Sequence, residues 1–229
     1  MKNGYSVFGS LLAGFLTVSF AGTAYAHEIP TAKAAELALH RIERLAALKK
    51  IEDAFQSKLK NLSLEMLITQ KPTDPLFKIV ASQYPNSNGT QRKVELLLDE
   101  DGKALQHFVS RGGEAENAPS WSEKDPITLA EVALHLIVEQ SKDKPELAVF
   151  ESALSELSIT QETDADGIAV AVFTAKAAGS ASLLKIRIKG DGSVESYEIV
   201  SKENEASCPA QPAPARPTSE TDDAPDATN

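Results

Sequence analysis

The feature that most constrains the fold of this chain is an internal repeat with a constant offset of 95 residues. Residues 35–42 (AELALHRI) match residues 130–137 (AEVALHLI) at six of eight positions. Residues 55–64 match residues 150–159 at five of ten positions with the same offset and no gap. A repeat of this length indicates that one supersecondary unit occurs twice.

Each copy begins with a helical pattern. Apolar residues recur at a spacing of three or four along both repeat segments, which predicts an amphipathic helix in each copy. Thr128 and Glu131 have the spacing of a capping box, which predicts the start of the second helix. Asp143 and Pro145 then predict a stop and a second short helix that ends near Glu156.

Strand patterns follow the helices in both copies, with Asp-Gly turns at 101–102, 166–167 and 191–192. The predicted strands are 64–70, 76–83, 93–98 and 103–110 in the first copy, and 157–163, 168–176, 184–188 and 194–200 in the second. The predicted fold is therefore α+β, with two tandem units. Each unit is a helix, a short helix and a four-stranded antiparallel meander, and the helices pack on one sheet face.

The ends of the chain predict an exported protein. Lys2, an apolar run from 7 to 20 and the small-residue site Ala24-Tyr25-Ala26 together predict a signal peptide over 1–26. The predicted domains are unit 1 at 27–110, a linker at 111–126, unit 2 at 127–203, and a disordered, acidic, proline-rich tail at 204–229. The predicted location is periplasmic or otherwise extracytoplasmic, with no membrane span after cleavage.

Charge and cysteine content exclude some functions. The net charge is −10, and an acidic chain repels phosphate backbones, so no nucleic-acid partner is expected. Cys208 is the single cysteine, so no internal disulfide can form. Trp121, alone in the predicted linker, is expected to dock between the two units.

The order of elements, with Ala-Glu-x-Ala near each helix start and Asp-Gly hairpins before the closing strand, resembles PepSY domains. The tandem arrangement is similar to the fold of the bacterial β-lactamase inhibitor proteins. The chain lacks the disulfides of those inhibitors, so inhibition of a β-lactamase is not implied. The resemblance implies a non-enzymatic envelope protein that binds or restrains another protein, of unknown identity.

Histidines suggest metal sites of two kinds, as the alternative to protein binding. His27 would be the mature N-terminal residue, and its amine and imidazole together could chelate copper. The pairs Glu36/His40 and Glu131/His135 lie one helical turn apart, so each pair could share an ion or could simply be a helix-surface pair. We expect no catalytic residues, because the Ser-x-x-Lys spacings at 57–60 and 182–185 lack the partner motifs that such catalysis needs.

Overall fold

The computed structural model describes residues 29–52, 54–69, 71, 74–110, 112–121 and 123–201. The predicted signal peptide, His27, Cys208 and the predicted tail lie outside these residues. Within them, no helix is long and apolar enough to cross a membrane.

The elements follow one order twice along the chain. The first half contains helices α1 (Thr31–Ala47) and α2 (Ala54–Ser57), then strands β1 (Leu59–Met66), β2 (Phe77–Gln83), β3 (Lys93–Leu98) and β4 (Ala104–Val109). The second half contains α3 (Pro126–Gln140), a 3-10 turn (Pro145–Leu147), α4 (Ala148–Ser152), then β5 (Leu154–Thr163), β6 (Ala169–Ala177), β7 (Ser182–Lys189) and β8 (Val194–Ser201).

All eight strands form one antiparallel sheet in the order β4-β3-β2-β1-β5-β6-β7-β8. The predicted α+β class and the two meanders are confirmed. The meanders are not separate sheets, because β1 pairs with β5 and joins them edge to edge. The buried residues of both halves also form one core cluster. The division of the chain into two tandem units therefore stays a prediction.

The pairing of β1 with β5 is centred on two equivalent positions. Leu62 pairs with Leu157, which is the residue 95 positions later, and Asn61 and Ser63 pair with Ser158 and Glu156. A local pseudo-twofold axis therefore passes between Leu62 and Leu157. Around such an axis both halves contribute the same strand edge to the contact, as in an isologous dimer interface.

The first strand of each half begins earlier than the sequence pattern predicts. β1 begins at Leu59 rather than Leu64, and β5 begins at Leu154 rather than Leu157. The ladder is irregular between Leu59 and Asn61, and again 95 residues later. An extra residue at a bulge lets Leu59 and Leu62 face the same side despite their odd spacing, so a spacing that is typical of a helix occurs here in a strand.

The helices cover one face of the sheet because their apolar sides and the inward strand residues share one core. Leu39 and Ile42 of α1 are fully buried, as are Leu134 and Ile137 of α3. Burial of such side chains stabilises a fold by about 1.5–3 kcal/mol each relative to exposure. The opposite face of the sheet has no helix over it among the described residues.

The capping prediction for α3 is wrong. The helix begins at Pro126, and Asp125 is its N-cap, whose Oδ1 accepts a hydrogen bond from the Thr128 backbone N–H at 2.9 Å. Thr128 is the third helical residue, because Asp125 supplies the capping oxygen and Pro126 fits the first helical position without a free N–H. Glu131 therefore lies in the second turn and has no capping role.

The segment between the halves packs along the molecule. Lys58 binds the Glu114 carboxylate at 3.0 Å, and the Gln161 side chain donates to the Ser120 carbonyl at 3.0 Å. Trp121 lies half-buried against the core that both halves share. These contacts fix the path of the segment from β4 to α3.

Candidate metal centre

The candidate site lies where α1 packs against α3. These two helices make the most extensive helix–helix contact of the described chain. His40 and Glu43 lie one turn apart on α1, and Glu131 lies on α3. Residues three apart on a helix share a face, so both α1 side chains can reach the same point above α3.

The three side chains converge. Nδ1 of His40 lies 2.8 Å from Oε1 of Glu131 and 3.6 Å from Oε2 of Glu43. One ligand atom from each of the three lies within 4.8 Å of the others. The His40 side chain is 53% exposed, Glu43 33% and Glu131 20%. The site is therefore open to solvent on the α1 side and buried on the α3 side.

The Glu131 carboxyl has an unusual environment. The pKa of Glu131 is raised to about 7. Burial is the largest cause, and the Glu43 carboxylate has a larger effect than the carboxylates of Glu36 and Asp125. His40 acts in the opposite direction, because a positive imidazolium favours the carboxylate. Burial and these four neighbouring groups together therefore place the pKa of the Glu131 carboxyl near neutral pH.

One oxygen of Glu131 has no regular hydrogen-bond partner. Oε1 is buried and accepts no hydrogen bond from the described residues, although Nδ1 of His40 lies 2.8 Å away. A buried acceptor without a partner costs roughly 1–3 kcal/mol. A cation or proton held between the two atoms would remove that cost.

The donor set suits a borderline metal ion. One imidazole nitrogen and two carboxylates are typical ligands of Zn²⁺, and imidazole also suits Cu²⁺. Three protein ligands leave a position for water. The arrangement can therefore bind a divalent cation or hold a proton.

The structure gives the predicted metal-binding residues on the helices other partners than their helical spacing suggested. His40 and Glu131 meet across the helices, whereas Glu36 pairs with Lys33 at 2.6 Å. His135 is exposed, and it lowers the pKa of Glu139 by its charge, after the larger effect of Lys142. His27 lies outside the described residues, so its copper chelate stays a prediction.

Glu43 is the residue that the sequence reasoning missed. Its spacing of three from His40 places it on the same helix face, and that spacing was the available signal. The predicted capping role also assigned the Glu131 carboxylate to the start of the helix, so it gave no indication that this carboxylate can contact His40.

The open face of the sheet is the second feature of functional interest. Arg187 binds Glu195 at 2.8 Å and Glu162 at 2.5 Å across three strands, and Lys176 binds Glu156 at 2.7 Å. Hydrogen bonds to both acids raise the pKa of Arg187. Two cations of this face, Arg187 and Lys176, are therefore paired with acids on other strands.

Comparisons of the chain with family models, with curated proteins and with solved structures find no match.

Proposed function

We propose that this chain is an exported, non-enzymatic binding protein of the bacterial cell envelope that engages or restrains another protein through the open face of its sheet. One observation carries the proposal: the helices share a core with one face of an eight-stranded sheet and leave the other face uncovered within the described chain. The predicted signal peptide supports the location.

The size of the open face fits a protein partner. Eight strands about 4.8 Å apart span roughly 34 Å, and six residues along a strand span roughly 20 Å. The product is roughly 700 Å², close to the ~800 Å² that each partner buries in a standard interface. Short side chains such as Ser63 and Thr174 also lie on this face.

We also propose that the chain arose by duplication of one helix–helix–meander unit. The bulges after Leu59 and Leu154 occupy equivalent positions. The β3–β4 and β7–β8 hairpins are also alike, with Gly102 and Gly192 at φ 77° and 89° and the same backbone hydrogen bonds around them. Two halves of unrelated origin would not be expected to share irregularities at equivalent positions.

A photo-crosslinking experiment tests the binding proposal. A benzophenone amino acid placed at Ser63 or Lys185, one open-face position in each half, should yield a discrete adduct with one partner in envelope preparations. The same group at Lys142, which is exposed beyond the end of α3, is the matched control. Equal labelling from all three positions, or no adduct from Ser63 and Lys185, would refute the open face as the binding surface.

Metal binding is the second candidate, and the convergence of His40, Glu43 and Glu131 favours it. Zn²⁺ or Cu²⁺ would bind between α1 and α3 in this case. Titration calorimetry should then show one site that His40→Ala removes and His135→Ala leaves unchanged. The copper alternative at His27 gives the reverse result, because it is lost when a residue is added before His27 and is insensitive to His40→Ala.

A further inference from the structure

The two edge strands of the sheet occupy equivalent positions, but they differ in the charged side chains that would prevent another strand from pairing with them. β4 and β8 occupy the two ends of the strand order. Their registers match, because Ala104 pairs with Leu98 as Val194 pairs with Ile188. β8 carries two exposed acids, whereas β4 contains no Asp, Glu, Lys or Arg, and the exposed His107 is its one titratable side chain. Charged side chains on an edge strand prevent further strand pairing, so only β8 has this protection.

β4 exposes a larger set of apolar side chains than β8 does. Leu105 is 39% exposed, Phe108 53% and Val109 45%, whereas in β8 Val194 is 38% and Ile199 37% exposed. The positions equivalent to Leu105 and Phe108 in β8 are Glu195 and Glu198. Within the described residues no strand pairs with the outer side of β4. An apolar edge strand with free backbone groups is a template for an added strand.

Cations without acidic partners lie beside the first residues of β4. Arg41 and Arg44 of α1, together with Lys103, line a cavity of about 420 Å³ next to Ala104. None of these three cations forms an ion pair with a described residue, and Nε of Arg41 is buried without a hydrogen-bond partner. Unpaired guanidinium groups are suited to bind carboxylates bidentately.

A second cavity, of about 330 Å³, lies at the other end of β4. It includes Lys50 and Arg92 beside the apolar Phe55 and Val109, and Arg92 is paired with Glu52. We call the surface between these two cavities the α1–β4 groove. In the second half, the positions equivalent to Arg41 and Arg44 are Leu136 and Glu139. The cationic groove is therefore specific to the first half.

We infer that the β4 edge and the α1–β4 groove bind an extended acidic segment of a partner protein, which adds to the sheet as a ninth strand. Its backbone would pair with β4, and its carboxylates would meet Arg41, Arg44 and Lys103. A second copy of this chain paired antiparallel through its own β4 fits less well, because the Arg41, Arg44 and Lys103 end of one copy would meet the Lys50 and Arg92 end of the other, and both ends are cationic. The inference rests on the proposed binding function and names the chemistry of the partner.

The test uses a synthetic peptide of about ten alternating glutamate and valine residues, long enough to span β4. Calorimetry should detect binding that weakens as salt is added, and hydrogen exchange should show new protection of the amides of 104–109. Two control peptides separate charge from strand addition. One replaces glutamate with lysine, and the other carries N-methyl groups on the amides that would face β4. Both controls should bind at least about tenfold more weakly.

Two double variants test whether the peptide binds at β4 and the α1–β4 groove. Leu105→Glu with Phe108→Glu gives β4 the charges of β8 and should abolish binding. Arg41→Gln with Arg44→Gln should weaken binding about tenfold, whereas Lys142→Gln with Lys124→Gln removes the same charge elsewhere and should leave the affinity unchanged. Circular dichroism and thermal melting confirm that each variant is folded.

Three results would overturn the inference: equal affinity for the N-methylated peptide, insensitivity to both site variants, or light scattering that shows copies of the chain associating through β4 and releasing on Leu105→Glu with Phe108→Glu. None of these results concerns crosslinks from Ser63 or Lys185, so the open-face proposal would stand or fall separately.

Discussion

Nδ1 of His40 lies 2.8 Å from Oε1 of Glu131, and this contact joins α1 and α3, the two longest helices of the described residues. The carboxyl of this pair has a pKa raised to about 7 by burial and by Glu43, above its ordinary value of 4.5. The folded state therefore holds the Glu131 proton more tightly than the unfolded state does. Stability from this group is complete below about pH 4.5 and is lost as the pH rises through about 7.

Replacing Glu131 by glutamine should remove this pH dependence. The full shift corresponds to about 3 kcal/mol, and because solvent partly screens the site we expect roughly 1–2 kcal/mol. Urea unfolding at pH about 5 and about 8 should therefore show a larger loss of stability in the natural protein than in Glu131→Gln. Glu146→Gln, which removes an exposed acid that does not belong to this cluster, is the control and should behave like the natural protein. Parallel pH curves for Glu131→Gln and the natural chain would contradict the assignment.

Both halves should unfold in a single transition. They share one core and the β1–β5 pairing, and the Thr31 hydroxyl donates to the Glu151 carbonyl across the halves at 3.2 Å. Leu96→Ala in β3 and Leu184→Ala in β7 each remove a buried side chain, at a cost of about 2–5 kcal/mol. Each should move the same transition, as followed by circular dichroism and by Trp121 fluorescence. Separate midpoints for the two signals would show that the halves fold independently.

Gly102 should tolerate alanine worse than Gly167 does. Both have a left-handed backbone, with φ 77° and 80°, so alanine strains both by about 1–2 kcal/mol. A Cβ at Gly167 meets open space, whereas one at Gly102 would overlap the Leu37 side chain and lie 2.7 Å from Cδ1 of Ile29. The atoms in the way are the ends of two flexible, half-buried side chains, so the added cost lies at the low end of the overpacking range, about 1 kcal/mol. Equal losses of unfolding free energy in the two variants would mean that Leu37 and Ile29 move aside freely.

The helices, the meanders and their order could be predicted from the sequence because apolar periodicity and Asp-Gly turns are local signals. The start of β1 could not, since the bulge between Leu59 and Asn61 places Leu62 on the same face as Leu59 at a spacing that is typical of a helix. The joining of β1 to β5 could not either. A repeated unit gives the same sequence pattern whether its edges stay apart or pair.

The sequence predicted two of the three residues of the candidate site, His40 and Glu131, but not that they contact each other. Helical spacing suggested Glu36 with His40, whereas the packing of α1 on α3 brings His40 to Glu131 instead. This contact is set by the packing of α1 on α3. Among the described residues it is not repeated at the equivalent pair, since Glu36 binds Lys33 and His135 is exposed. Local spacing therefore identified His40 and Glu131 as candidates, and tertiary structure decided their partners.

The start of α3 provides a final test, because the sequence pattern and the structure assign its cap to different residues. Oδ1 of Asp125 accepts the Thr128 N–H at 2.9 Å, so Asp125→Ala should cost about 1 kcal/mol of unfolding free energy. Thr128→Ala keeps the backbone donor and replaces a weaker helix former, so it should cost little or even stabilise the helix. Chemical unfolding of the two variants under one condition measures both values. A larger loss for Thr128→Ala would restore the capping box, and with it a structural role for Glu131 that competes with the interaction with His40.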